Sequence, residues 1–202
     1  MFLLCTHFTG RAATILVVTR IMLSCSLAAG ALDASPTAKT DVATLLRIQN
    51  DVQQLLPQVR PALVAIQTGG GTASGVIISA DGLLLTAAHV PGGPGKDMRV
   101  ILEDGSVTTA KSLGLDKATD AALAQLKKRE KPWPFVKLSR EVIKAQPGEW
   151  CFALGHPGGF DKARGPVLRV GKIIKQTANS LHTDCVLMGG DSGRSEERRV
   201  GK

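Results

Sequence analysis

From Ala62 onward, the sequence consists of short apolar runs of β type separated by residues that favour turns. Asp81-Gly82 and Asp104-Gly105 are the clearest turn signals, and each lies between two such runs. Many short strands with regular turns are typical of an all-β barrel or sandwich. Residues 127–134, with their charges and two prolines, indicate a connector between two halves. The predicted strands are 63–67, 75–79, 83–87, 99–102, 107–115, 121–126, 150–154, 167–176 and 183–187.

An amphipathic helix is predicted ahead of these strands, so that residues 32–60 comprise a linker and this helix. The linker, 32–41, is small and polar, and apolar residues then recur at helical spacing as far as Val59. Asp41 is the predicted N-cap, and Pro57 and Pro61 mark the predicted exit. We expect the helix to pack on the domain that follows it. A helix that joins copies of the chain in a homo-oligomer is the alternative.

The net charge of +8 is not gathered into a nucleic-acid-binding patch. Two of these charges lie in residues 1–31 and two in residues 194–202, which leaves +4 for everything between them. That remainder has no basic block and no interleaved aromatic residues, so we expect no nucleic-acid partner. With 44% hydrophobic and 21% charged residues, the chain can build a packed core.

Residues 1–31 have the composition of an export signal. Arg11 and Arg20 precede or interrupt two apolar runs, and small residues follow at 28–31. Neither run reaches the ~20 residues that a membrane-spanning helix needs. We therefore predict a signal peptide and an exported protein, periplasmic or secreted. Association with a membrane, through an uncleaved segment or a lipid on Cys25, is the alternative.

Cleavage near Ala31 would leave two of the four cysteines, Cys151 and Cys185, in the mature chain. Two cysteines can pair in an oxidising compartment, and the sequence leaves open whether these two do. Neither has a close Cys or His partner at metal-ligand spacing, so no metal site is expected.

Three residues supply the side-chain types of nucleophilic catalysis. Ser192 lies in the glycine-rich run 189–193, where glycines free backbone N–H groups to point at a developing oxyanion. His89 follows an apolar strand, and Asp120 precedes another. A serine hydroxyl needs a base to take its proton, and the base needs an anion to orient it. Because 31 and 72 residues separate the three, only tertiary folding can bring them together.

These segments together resemble a trypsin-like serine protease of the bacterial HtrA/DegP group. The resemblance covers about residues 60–193 and rests on four motifs in the family's order. Residues 74–90 are similar to its "SGxIIxxxGxIxTxxHV" segment, 119–124 to its "xDxAxL" aspartate motif, 148–157 to "GxxVxxxGxP", and Thr183-Asp184 to the "TD" run into the nucleophile loop.

The resemblance implies two six-stranded antiparallel β-barrels, with the protease domain spanning residues 61–193. It implies that His89 is the general base, Asp120 its orienting partner and Ser192 the acylating nucleophile, with the backbone N–H groups of Gly190 and Ser192 as the oxyanion hole. The implied activity is a serine endopeptidase that needs no cofactor and acts on proteins or peptides in extracytoplasmic quality control. The alternative is a non-catalytic protease-like module that binds peptides or acts as a chaperone.

Beyond Gly193 the sequence departs from the family's pattern. Six of the nine residues 194–202 are charged and the β periodicity stops, so we predict a non-native tail and a domain truncated after its nucleophile. The second barrel is then expected to be incomplete and the 202-residue chain inactive, whereas the full gene would encode an active enzyme.

Four further features receive structural interpretations. Asp191 stands where the HtrA group commonly has Asn, and we interpret it as a loop-shaping residue. His156 and His182 match no motif and are expected to be structural. The glycine-rich run 69–75 lacks the Gly-Lys-Ser/Thr ending of a phosphate-binding loop, so we expect a flexible hairpin there.

Overall fold

The computed structural model describes residues 2–6, 15–18, 41–69, 71–138, 145–177 and 181–186, the first two ranges by their backbone. These residues form one α-helix, a 3₁₀ turn at Arg60–Ala62 and eleven strands. The elements are α1 (Val42–Val59), β1 (Phe2–Thr6), β2 (Ile15–Val18), β3 (Leu63–Thr68), β4 (Gly71–Ile77), β5 (Leu83–Thr86), β6 (Asp97–Ile101), β7 (Val107–Asp116), β8 (Ala121–Leu126), β9 (Trp150–Gly155), β10 (Val167–Gln176) and β11 (Leu181–Thr183).

Helix α1 begins where its capping residue predicts. The Thr44 backbone N–H donates to Asp41 Oδ1 at 2.7 Å, which satisfies one of the free N–H groups of the first turn. Leu55 and Val59 are buried in the same core cluster as the strands, so the helix packs on the β domain as predicted. Pro57 does not end the helix as predicted: the helix continues for two more residues, to Val59.

Six strands close into an antiparallel barrel in the order β3-β4-β5-β8-β7-β6. Alternate residues point inward, and Ile66, Ile77, Leu84 and Leu126 are almost completely buried among them. The β6–β7 turn at Asp104-Gly105 is confirmed: Gly105 has a φ of 87°, a left-handed conformation that other residues rarely adopt. Closure leaves this barrel without a free sheet edge.

The remaining strands form a five-stranded sheet in the order β11-β10-β9-β1-β2. This sheet is not closed within the described part of the chain, so the prediction of two barrels is confirmed for the first barrel alone. Strands β1 and β2 come from residues 1–31, the predicted export signal, and Phe2 pairs with Leu154 of β9. The same apolar residues thus have strand geometry here. No described helix combines the length and hydropathy needed to cross a membrane.

Several predicted strand boundaries are wrong by two or more residues, and two of them have a clear physical reason. The glycine-rich run was expected to be a flexible hairpin, but β4 already begins at Gly71 and pairs with β3, starting from Thr68 opposite Gly71. The strand predicted over residues 183–187 lies at Leu181–Thr183 instead. It ends there because side chains replace the sheet hydrogen bonds: the Cys185 N–H donates to Thr183 Oγ1 at 2.9 Å.

The two sheets share one hydrophobic core. Phe152 and Leu154 of β9 belong to the buried cluster that fills the barrel and receives helix α1. A buried polar contact crosses the same junction, where the His156 backbone N–H donates to Ser74 Oγ at 2.9 Å. This junction fixes the position of the open sheet relative to the closed barrel.

Candidate active site

His89 and Asp120 meet because β5 and β8 are antiparallel neighbours. Strand β5 ends at Thr86, which pairs with Ala122 near the start of β8. The chain leaving β5 and the chain entering β8 therefore emerge at the same end of the barrel. His89 lies three residues beyond one strand and Asp120 one residue before the other, so the strand register brings the two side chains together.

The contact between the two side chains is direct. His89 Nδ1 lies 3.1 Å from Asp120 Oδ1 and 3.1 Å from Oδ2. The backbone is tied as well, because the His89 N–H donates to Asp120 Oδ1 at 3.3 Å and the Ala88 N–H donates to the Asp120 carbonyl at 3.1 Å. The side chains are 34% and 41% exposed, so the pair lies at the surface and is reachable by a substrate.

This geometry selects one histidine tautomer. A carboxylate only accepts hydrogen bonds, so Nδ1 carries the proton when it faces Asp120. Nε2 is then the basic nitrogen of the neutral ring. When Nε2 takes a proton, the adjacent carboxylate stabilises the resulting imidazolium. The pair can therefore act as a general base and its orienting anion.

Asp120 has an unusual backbone. Its φ of 50° makes it the one non-glycine residue with a positive φ in the described part of the chain. Left-handed geometry costs most L-residues roughly 1–2 kcal/mol, and Asp is among the few that tolerate it. Strained conformations of this kind are kept where a side chain must be aimed, and here the carboxylate is aimed at His89.

Asp116 prepares this conformation, and the sequence analysis did not identify it. Its carboxylate accepts hydrogen bonds from the Ala118 N–H at 2.8 Å and the Thr119 hydroxyl at 2.7 Å, which hold the turn that leads into Asp120. The hydrogen bond from Thr119 lowers the pKa of Asp116. An Asp whose carboxylate accepts the backbone N–H two residues later is a recognised turn-forming residue. The role of Asp116 could therefore have been predicted from the sequence.

Ser192 and Gly190, the predicted nucleophile and oxyanion donor, lie outside the described residues, as does Asp191. The structure describes the chain as far as residue 186. Thr183 pairs with Ile173 of β10, and the Asp184 N–H donates to the Lys172 carbonyl at 3.1 Å. Asp184 Oδ1 in turn accepts a hydrogen bond from the Lys172 N–H, so the segment approaching the serine loop is held along β10.

His156 and His182, the two histidines that match no motif, lie in or directly after strands of the open sheet. His156 is 1% exposed, and its ring lies 5.8 Å from the ring of Phe160. His182 lies in β11, where it pairs with Lys175. Among the described residues, no group of three or more His, Cys, Asp or Glu side chains is arranged to hold a metal ion.

Comparison with known proteins matches the region of the chain that contains His89 and Asp120. The family model for the trypsin-like peptidase domain matches residues 73–193. Serine protease HhoB of Synechocystis is 34% identical over 131 residues, which is 61% of this chain and 30% of that protein. A DegP-like periplasmic serine endoprotease of Pseudomonas putida is 39% identical over 124 residues, covering 59% of this chain and 25% of its own length.

A DegP-like protein of Chlamydia trachomatis, also named as a periplasmic serine endoprotease, is 32% identical over 150 residues. That match covers 70% of this chain and 27% of the relative. Across these three relatives, the matched region therefore spans 25% to 30% of the curated protein.

Proposed function

This chain belongs to the trypsin-like peptidase domain family, in its HtrA/DegP-like group, and we propose that the protein is a serine endopeptidase. The observation that carries the proposal is the contact of His89 Nδ1 with both carboxylate oxygens of Asp120, at 3.1 Å each. A base already oriented by an anion, at an exposed end of the barrel, is what a serine nucleophile requires. Ser192 is the residue we assign to that role.

The catalytic cycle follows from these roles. His89 Nε2 takes the proton of the Ser192 hydroxyl as its oxygen attacks the carbonyl carbon of the substrate. The backbone N–H groups of Gly190 and Ser192 hold the oxyanion that forms, and Asp120 stabilises the imidazolium. His89 then protonates the leaving amine, and an acyl-enzyme remains. Water activated by the same histidine hydrolyses the acyl-enzyme and regenerates the serine.

We place this activity outside the cytoplasm, on protein substrates. Two of the relatives are named as periplasmic endoproteases, and residues 1–31 have the composition of an export signal. Cleavage of that signal would leave a linker and helix α1 ahead of the protease domain at 61–193. Degradation of damaged exported proteins is the role that we propose.

Hydrolysis of a denatured protein by the full-length enzyme tests this proposal. Ser192→Ala should lower the rate by at least about 10³-fold and abolish labelling by a fluorophosphonate, which reacts with an activated serine. Ser106→Ala is the matched control, because Ser106 is an exposed serine in the β6–β7 turn. A full-length protein that binds the substrate without cleaving it would contradict the proposal and favour the non-catalytic peptide-binding alternative.

A further inference from the structure

Two buried cysteines lie side by side, one in the open sheet and one in the segment that leads to the serine loop. Cys151 is in β9, and Cys185 follows β11, 34 residues later in the chain. Their sulfur atoms are 4.0 Å apart, and the side chains are 1% and 7% exposed. The proposed catalytic cycle uses neither of them.

The residues around the two sulfurs leave room for them to lie close together. Gly171 of β10 pairs with Cys151, and a Cβ at position 171 would clash with Asp184 Oδ1 and lie 2.8 Å from the Cys185 sulfur. The absence of a side chain at Gly171 therefore leaves room for the Cys185 thiol over the sheet. Thr183 fixes the other side, because its hydroxyl oxygen lies 3.5 Å from the Cys151 sulfur and accepts the Cys185 N–H at 2.9 Å.

We propose that Cys151 and Cys185 form a disulfide in the mature protein, which fixes the chain entering the serine loop to strand β9. The other two cysteines, Cys5 and Cys25, lie in the predicted export signal, so an exported chain would carry this pair alone. Oxidising compartments are where such pairs persist. The proposal rests on export of the protein and not on its catalysis.

The bond forms by thiol–disulfide exchange with a small-molecule disulfide such as oxidised glutathione. One cysteine, as its thiolate, attacks a glutathione sulfur and expels one glutathione thiolate. The second cysteine loses its proton to solvent and attacks the mixed disulfide, expelling the other glutathione thiolate. In balance, two protein thiols are oxidised to one disulfide, while one oxidised glutathione is reduced to two molecules of glutathione.

Exchange is expected before the segment packs fully. The hydrogen bond with Cys151 and burial both raise the pKa of the Cys185 thiol, so the folded thiol has little reactive thiolate. The folded sulfurs are about 2 Å farther apart than bonded ones, a gap that side-chain rotation must close. Once formed, the link closes a loop that contains β10 and β11, and it restricts the unfolded chain accordingly.

Peptide mapping tests the bond directly. The full-length protein is isolated from an oxidising periplasm, alkylated without reduction and digested with trypsin. The expected product is peptide 145–162, which contains Cys151, joined to the peptide that begins at Gln176 and contains Cys185. Both peptides alkylated and unlinked, or either one joined to Cys5, Cys25 or a second protein molecule, would overturn the proposal.

Thermal unfolding provides a second measurement that does not depend on activity. A reductant should lower the Tm of the wild-type protein by about 5–15 °C, because a disulfide that closes a loop of this length stabilises a domain strongly. The double variant Cys151→Ala/Cys185→Ala should show no reductant-dependent shift. Gly114→Ala, which keeps both cysteines and meets open space in β7, is the control and should keep the full shift. An equal response to reductant in the wild type and the Cys151→Ala/Cys185→Ala variant would contradict the proposal.

Discussion

The backbone N–H of His156 donates to the Ser74 hydroxyl at 2.9 Å, across 82 residues of sequence and inside the core. Ser74 lies in β4 of the closed barrel, and His156 directly follows β9 of the open sheet. This hydrogen bond joins the sheet that supplies the His–Asp pair to the sheet that leads to the predicted serine loop. The relative position of the two sheets depends on this junction.

Replacement of Ser74 should therefore destabilise the protein. Ser74→Ala leaves the buried His156 N–H without its acceptor, and we expect a loss of about 1–3 kcal/mol in the free energy of unfolding. Urea denaturation followed by intrinsic fluorescence measures this loss. Ser106→Ala removes an exposed hydroxyl that contacts the exposed Asp104, and it should change the stability at neutral pH by less than about 0.5 kcal/mol. Equal stability of the two variants would show that the junction does not need this hydrogen bond.

Asp120→Asn should remove activity while preserving the fold. The Asn amide tolerates the left-handed backbone at φ 50°, but its NH₂ group favours the histidine tautomer in which Nε2 is protonated and no longer basic. We expect kcat of the full-length enzyme to fall by about 10³–10⁴-fold. Asp97→Asn is the matched control, since Asp97 is an exposed aspartate at the start of β6, and it should stay within a few-fold of wild type.

Because Asp120 has a positive φ, glycine should be a more stable replacement for it than alanine, which is the reverse of the usual order. Both Asp120→Gly and Asp120→Ala remove the carboxylate, but only alanine carries a Cβ that opposes φ 50°. The glycine variant should therefore be the more stable one, by about 1 kcal/mol. At exposed Lys117, where φ is not positive, alanine should be the more stable replacement. Chemical denaturation measures the stability of the four variants. If alanine is the more stable replacement at both positions, the backbone of Asp120 is not strained.

A methyl group at Gly171 should displace the segment that leads to the serine loop. Its Cβ would clash with Asp184 Oδ1, and it would lie 2.8 Å from the Cys185 sulfur and 3.0 Å from the Cys185 backbone nitrogen. We expect Gly171→Ala to cost about 1–3 kcal/mol of stability and to reduce activity with it. Gly114→Ala, in β7, meets open space and should be neutral or slightly stabilising. Comparable melting temperatures for the two variants would contradict the close packing at Gly171.

Four exposed aspartates predict a loss of stability in acid. Hydrogen bonds lower the pKa of each below its ordinary value of 3.8: from Thr44 to Asp41, Ser106 to Asp104, Thr119 to Asp116, and Arg164 to Asp161. Because the unfolded chain binds these protons more readily, their stabilisation is complete above pH 3.8 and is lost as the pH falls through the lowered values. Urea denaturation between about pH 5 and pH 2 measures the decline. Asp116→Asn should make it shallower, and an unchanged slope would exclude a contribution from Asp116.

Local patterns predicted several elements because their causes are local. Strand β10 has the predicted bounds, 167–176, and helix α1 follows the predicted cap at Asp41. The start of β4 was missed, since its glycines have low strand propensity and only pairing with β3 makes Gly71 part of a sheet. The end of β11 was also missed, since side-chain hydrogen bonds at Thr183 interrupt the ladder.

The sequence by itself determined the all-β character of the chain, its turns, and the presence of a histidine, an aspartate and a serine in protease-like motifs. These follow from periodicity and residue type, which act over a few positions. Only the tertiary structure decided that β5 and β8 are neighbours, that His89 therefore contacts Asp120, and that Cys151 lies beside Cys185. Such contacts join residues more than 30 positions apart, and they depend on which strands pair and in what register, which the packing of the whole core selects.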